Sequence, residues 1–360
     1  MRSTKGNRRK SYAFLLSFFV FCAFLLPFGQ GCKTTENEKN VRVEKEEDTI
    51  NIGMSFDSFV IERWQRDRDV FVSTAKEMGA EVNVQNANGD IEEQKKQILY
   101  LIEQDVDVIV IICIDADSLK EEVQKAKNAG IKVIAYDRII RDADIDLYIS
   151  FDNEEVGRQM GEAMVNDGLK EGDNVIIIGG SPADYNVPMV EKGFTDVMQT
   201  NGISISDTIH CDGWDAELAT EYIYSNPDTV ARADAIMCGN DNIASRVVSA
   251  LSEQRLAGKV KVTGQDADLE ACQKIVEGTQ LMTVYKPVDL LAKRAAEYAI
   301  SFAKGENIGE TSFINDGTYD VKYVSLAPIS VTKEDMEEVI IKNGFHSRED
   351  VYLNIPNRQE

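Results

Sequence analysis

From residue 50 onward, short β-branched runs alternate with longer amphipathic stretches. Ile50-Asn51-Ile52-Gly53-Met54 predicts a first strand. A helix is predicted over about Ile61–Met78, where Val70, Phe71 and Ala75 are spaced to bury one face. Val82–Gln85 reads as a strand, and Glu92–Gln104 as a helix with Ile98, Leu101 and Ile102 turned inward. Val106–Ile112 is apolar almost without a break, as a strand covered on both faces must be. The rhythm continues at Ile131–Tyr136, Val175–Ile178, Ala235–Cys238, Val260–Thr263 and Met282–Tyr285. Such alternation predicts an α/β fold of doubly wound parallel sheets with helices on both faces.

The chain also resembles itself. Asp107 opens "DVIVIICIDADS", then come a helical stretch, Ala129-Gly130, the strand "IKVIAY" and Asp137. Asp234 opens "DAIMCGNDNIAS", then come a helical stretch, Ala257-Gly258, the strand "KVKVTGQ" and Asp266. The two intervals from first to last Asp are 30 and 32 residues. Chance similarity between two βαβ units is one explanation, and two lobes of one design is the other. Size favours two lobes, since one parallel sheet of ten or more strands is unusual. The length of 360 residues also suits two domains.

Charge and the N-terminal segment add location. Lys plus Arg is 39 against 62 Asp plus Glu. Five positives (Arg2, Lys5, Arg8, Arg9, Lys10) and no acids precede residue 32, so the remainder carries a net charge of −28. So acidic a surface repels phosphate backbones, which argues against nucleic-acid partners. The basic stretch precedes an apolar run from Tyr12 to Phe28, too short for a comfortable span and suited to a secretory leader. Gly29-Gln30-Gly31-Cys32 resembles the lipobox of bacterial lipoproteins, with Gly29 where that motif usually has Leu. Lipidation of Cys32 is the favoured reading over an uncleaved anchor or plain secretion. All three place the body outside the cytoplasm, and Lys33–Asp48 reads as a flexible tether.

In open parallel sheets, ligands bind beyond the carboxyl ends of the strands. The polar residues there are Asp57 with Arg63-Trp64; Asp137-Arg138; Ser181, Asp184 and Asn186; Asp212-Gly213-Trp214; Asn240-Asp241; Asp266; and Lys286. Both tryptophans of the chain fall in this set, one in each expected lobe. The inventory suits a neutral polyol. Asp and Asn bond adjacent hydroxyls, Arg and Lys donate, and an aromatic ring covers the C–H face of a sugar. Asp137 and Asp266 offset the cations locally, so no charged ligand is needed. The competing role for any one of these residues is a loop or helix cap.

Other chemistry finds little support. Gly179-Gly180-Ser181-Pro182 lacks the downstream Gly-Lys-Ser/Thr of a phosphate loop and reads as a tight turn. Asp142, Asp144 and Asp146 alternate like a calcium loop but lack its Gly and its final Glu. Two histidines, His210 and His346, leave little scope for metal or triad chemistry. Cys113, Cys211, Cys238 and Cys272 read as buried thiols, with a Cys211–Cys238 bridge left open. No cofactor motif is present.

At "ERWQRDRD" (62–69), "VQNANGD" (84–90), "AYDR" (135–138), "DADIDLYISFDNE" (142–154), "GGSP" (179–182), "DGW" (212–214), "GND" (239–241), "GQDADL" (264–269), "GTQLMTVYKP" (278–287) and "NGFH" (343–346), the body resembles the D-xylose-binding proteins of bacterial ABC sugar importers, class I periplasmic binding proteins of the ribose/galactose type. The likeness runs from about Ile50 to His346. It implies two lobes joined by a three-stranded hinge, closing on a sugar and docking on a membrane partner, and no enzyme activity. The lobes implied are 50–152 with 287–322 and 153–286 with 323–360, after a leader at 1–31 and a tether at 32–49. Crossings are implied near Phe151–Asn153, near Lys286–Pro287 and around Tyr323–Pro328. The implied sugar contacts are Arg63, Trp64, Asp137, Arg138, Asn186, Trp214, Asn240, Asp266 and Lys286. The departures are Cys32 and Cys113-Ile114-Asp115, where the family leads one to expect a proline-containing turn. The partner implied is an ABC permease, or, if the same module serves as a xylose sensor, a membrane histidine kinase. A secreted glycosidase is a third reading, which requires turnover of xylosides, and a transcription regulator is disfavoured because a leader stands where a basic helix-turn-helix would.

Overall fold

The thirteen strands among the described residues divide between two sheets. In the computed structural model, which describes residues 49–355, the strands are β1 (Ile50–Phe56), β2 (Ala80–Asn86), β3 (Val108–Ile111), β4 (Lys132–Tyr136), β5 (Leu147–Phe151), β6 (Asn174–Gly179), β7 (Ser204–His210), β8 (Ala235–Cys238), β9 (Lys261–Gln265), β10 (Met282–Tyr285), β11 (Ser312–Asn315), β12 (Asp320–Leu326) and β13 (Ile329–Val331). The leader, Cys32 and the tether up to Asp48 lie outside the described residues. The first sheet has the order β11-β12-β5-β4-β3-β1-β2 and the second β13-β10-β9-β8-β6-β7.

The internal likeness in the sequence is now placed. β5-β4-β3-β1-β2 of the first sheet matches β10-β9-β8-β6-β7 of the second, strand for strand. Asp137 and Asp266 each follow the fourth strand of their set, and each donates its backbone N–H to the fifth, to Ile149 O at 2.8 Å and Val284 O at 2.9 Å. The central strands bury both faces, as their unbroken apolar sequence requires. In β3, Val108 and Val110 enter one core cluster while Ile109 and Ile111 enter another. β8 does the same with Ile236 and Cys238 against Ala235 and Met237. Each fully buried aliphatic chain contributes about 1.5–3 kcal/mol.

The helices that bear on the cleft are α1 (Arg63–Glu77), α2 (Ile91–Glu103), α3 (Lys120–Asn128), α4 (Asn153–Asn166) and α5 (Asn186–Thr200). After them come α6 (Glu217–Ser225), a single turn α7 (Pro227–Val230), α8 (Asp241–Glu253), α9 (Leu269–Glu277) and α10 (Val288–Ala303). Side-chain carboxyls of Asp90 and Asp152 cap α2 and α4 by accepting first-turn N–H groups.

The chain passes between the sheets three times, after β5, after β10 and after β12. Both sheets are mixed, not purely parallel. β11 is antiparallel to β12 because a tight turn joins them. β13 is antiparallel to β10 because it is entered straight from the last crossing and runs away from the hinge, whereas β10 runs toward it. β12 stays paired with β5 through Leu326, so the expected division at 323 falls inside this strand.

One buried carboxylate fixes the loop between β4 and β5. Asp316 accepts from the N–H groups of Ala143 and Asp144 with one oxygen, and from Thr318 and Tyr319 with the other, all at 2.7–3.0 Å. These four bonds outweigh burial and hold its carboxyl below the ordinary range. Asp142 and Asp144 adopt positive φ here. Asp144 pairs with Lys127 and Asp146 with Lys132, so the acidic alternation is spent on structure. Cys113, Cys211, Cys238 and Cys272 are all buried free thiols.

Candidate functional site

Where the carboxyl ends of the two sheets face each other, they enclose about 480 Å³ of atom-free space, its solvent mouth included. All nine residues expected there line it: Arg63 and Trp64 from the start of α1, Asp137 and Arg138 after β4, Asn186 opening α5, Trp214 after β7, Asn240 after β8, Asp266 after β9 and Lys286 after β10.

Charge balance organises the walls. Arg63 Nη2 lies 2.9 Å from Asp137 Oδ2 and 3.2 Å from Asp67 Oδ1, and its Nη1 lies 3.7 Å from Asp266 Oδ1. Arg138 Nη1 donates to Asp57 Oδ2 at 2.8 Å and to the Cys113 carbonyl at 3.1 Å, while its Nε lies 2.6 Å from Asp184 Oδ2. Lys286 Nζ lies 3.2 Å from Asp266 Oδ1. Five carboxylates thus surround three cations, more than the two acids expected from sequence. Burial pushes the Asp137 carboxyl up, but Arg63, then Lys286 and Arg138, outweigh it and hold Asp137 below the usual range. For Asp57, Asp67 and Asp184 burial prevails over the neighbouring arginines, and each is raised. Burial weakens the Arg63 charge, yet Asp137, Asp67 and Asp266 together raise its basicity.

The turn at 113–115 serves the cleft without a proline. Asp115 Oδ1 accepts from Asp117 N and Ser118 Oγ, and Gln94 Oε1 holds Ile114 N. The Cys113 carbonyl is thereby presented to Arg138.

Backbone strain concentrates here. Asp137, Trp214, Asp266 and Ala267 all take positive φ, at 64°, 62°, 98° and 57°. Such conformations persist where surrounding contacts over-determine them. Asn240 does serve as a cap: its Oδ1 accepts from Ile243 N at 2.9 Å, which leaves its NH₂ for the cavity.

The two indoles are not equivalent. Trp64 is 2% exposed and belongs to the core cluster of the first sheet, while lining the cavity as well. Arg63 stacks on it at 4.5 Å. Trp64 thus faces the cleft and the core together. Trp214 is half-buried and packs against clusters of both sheets. It abuts Gly180, where an added Cβ would sit 2.2–2.6 Å from the ring. Gly239 in turn has no room for a Cβ, with Gly180 N 2.5 Å from that point. The Gly179-Gly180 turn is thus a seat for an aromatic ring.

Asn153, Asp184 and Gln265 also line the cavity. Asn153 escaped sequence reading because Leu147–Phe151 was not identified as a strand, so its end was not searched. Asp184 stood among the polar residues after β6 without a role. Asn153 Nδ2, Gln265 Oε1 and both indole Nε1 atoms are buried and have no hydrogen-bond partner within the protein. Buried polar atoms of this kind are costly unless a ligand bonds them. Donors and acceptors converge, with aromatic faces and compensated charge. The arrangement matches a small, uncharged, multiply hydroxylated molecule and offers no nucleophile–base pair.

Comparison with known proteins agrees with this reading. A family model described as "Periplasmic binding protein domain" matches residues 52–307. The chain is 43% identical over 309 residues to the D-xylose-binding periplasmic protein of Haemophilus influenzae, covering 84% of this chain and 92% of that protein. It is likewise 43% identical over 308 residues to the D-xylose-binding periplasmic protein of Escherichia coli K12, with the same coverage. Among solved structures, it is similar to an ABC transporter solute-binding protein from Clostridium phytofermentans with bound β-D-glucose, at a TM-score of 0.76, 27% identity and coverage of 84% and 99%.

The unequal burial of the indoles predicts unequal stability effects. Trp64→Ala should cost about 3–5 kcal/mol in urea denaturation, as large core truncations do. Trp214→Ala should cost under about 2 kcal/mol, because its ring rests on glycine backbone at the cleft. Equal losses would contradict the distinction.

Proposed function

The chain belongs to the periplasmic binding protein family, and from that membership we propose that it captures D-xylose or a close pentose between its lobes and delivers it to an ABC permease. The carrying observation is the set of buried polar atoms around the cavity that have no partner in the protein, beside cations already matched by carboxylates. The identity to two D-xylose-binding proteins supports the choice of sugar.

In this reading, Asp266, Asn240 and Asn186 bond ring hydroxyls, and Arg63, Arg138 and Lys286 donate to sugar oxygens. Asp137 holds Arg63 and accepts a hydroxyl. Trp64 and Trp214 cover the apolar faces of the ring. The protein works outside the cytoplasm, tethered by a lipid on Cys32 where the apolar run ends. Binding without turnover follows from family membership, and sugar release comes from lobe opening.

D-Xylose should raise the melting temperature of the full chain by linkage to the native state and shift its tryptophan fluorescence saturably. Asn240→Ala and Asp266→Ala should each weaken binding by about ten- to a hundredfold, as lost buried bonds to polar and charged groups do. Unchanged affinity in both variants would contradict the assignment. Cys32→Ser should move the protein out of the membrane fraction, and a variant held there as firmly as the parent would refute lipid tethering.

A further inference from the structure

Four consecutive residues of the second lobe each touch the first. The Ala183 carbonyl accepts from Ala116 N at 3.0 Å. Asp184 Oδ2 lies 2.6 Å from Arg138 Nε. The Tyr185 ring lies beneath the Arg141 guanidinium, 4.9 Å from its centroid. Asn186 Nδ2 donates to the Asp137 carbonyl at 2.9 Å, and its Oδ1 lies 3.0 Å from the Tyr148 hydroxyl. That hydroxyl has one proton and stands 3.0 Å from the Asp137 carbonyl as well. The carbonyl already accepts from Ser150 Oγ at 2.7 Å and from Asn186, which favours Asn186 Oδ1 as the acceptor.

The segment is also braced from within. Asp184 Oδ1 accepts from Asn186 N at 2.9 Å, which fixes both side chains on one turn. On the facing side, Arg141 N donates to the Ala116 carbonyl at 2.8 Å, tying together two of the loops that receive the contacts. None of these bonds runs through a ligand. Tyr148 and Tyr185 do not line the cavity, and Tyr185 is exposed enough to support no core.

We propose that residues 183–186 form a latch that closes the two lobes on each other directly, so that ligand retention is governed partly by Tyr148 and Tyr185, positioning residues outside the cavity lining. A closed state gains from every contact made only in that state, whoever supplies it. The sugar supplies some, and the latch supplies the rest. The effect on sugar retention rests on the function proposed above, whereas closure itself does not.

The test uses the full chain with Tyr148→Phe and Tyr185→Ala. Tyr148→Phe keeps the ring that stacks on Tyr323 at 5.0 Å and removes one hydroxyl. Tyr185→Ala removes an exposed ring. Hydrogen exchange at the Ala116 amide reads the latch without any sugar, since its partner lies on the other lobe. The parent should protect this amide, and each variant should speed its exchange three- to tenfold, the scale of one modest interaction. The dissociation rate of D-xylose should rise by a similar factor in both variants. Unprotected exchange in the parent, or exchange unchanged in both variants, overturns the latch. Faster exchange with an unchanged dissociation rate overturns its role in retention. Failure of the parent to bind D-xylose sinks the proposed function, and the exchange result still decides the latch.

Discussion

Two guanidinium groups buried at the ends of parallel strands set the terms for the whole cleft. Arg63 and Arg138 are 3% and 2% exposed, and a charge so placed is tolerable only if paired and bonded. The carboxylates that meet this demand come from both lobes. Asp57, Asp67 and Asp137 belong to the first sheet and its helices, whereas Asp184 and Asp266 follow strands of the second. The arginines therefore do three jobs at once. They hold the acids in position, they bring the lobes together, and they keep donors aimed at the cavity. Such pairs add little net stability, since desolvation offsets attraction. Their value is a preorganised set of donors and acceptors, which lowers the cost of binding.

The second constraint is the repeat of one sheet design in each lobe. Asp137 and Asp266 follow equivalent strands, each with positive φ and each bonded through its N–H to the next strand. Opposed across the cleft, the two sheets bring equivalent carboxylates to a single cation web around Arg63. Later strands break the likeness. β12 and β13 differ in direction because one approaches the hinge and the other leaves it.

Much of this could be read from sequence because strand ends in parallel sheets fall at predictable points. Apolar runs located β1, β3, β4, β6, β8, β9 and β10, and reading the residues after them led to the cavity. Leu147–Phe151 escaped because an acidic loop precedes it and its apolar run was not separated from that loop. Asn153 was missed with it. β11 and β13 were missed because short edge strands with exposed faces carry no strong period. Asp57 and Asp67 stayed without partners until the fold was known, because contacts such as Tyr136 to Asp67 join residues far apart in the chain. The core role of Trp64 was hidden for a related reason: a helix start can face the cleft and the core together.

Charge compensation gives the account its most direct test. With five carboxylates around three cations, the site should hold a neutral polyol and repel an anionic sugar acid of similar size. Calorimetric titration of the full chain with D-xylose and with D-xylonate decides this. The account predicts one-to-one binding of D-xylose that is insensitive to salt, since the charges are buried and each cation is paired, and no binding of D-xylonate. Tighter binding of D-xylonate, or a D-xylose affinity that collapses as salt is raised, would contradict it.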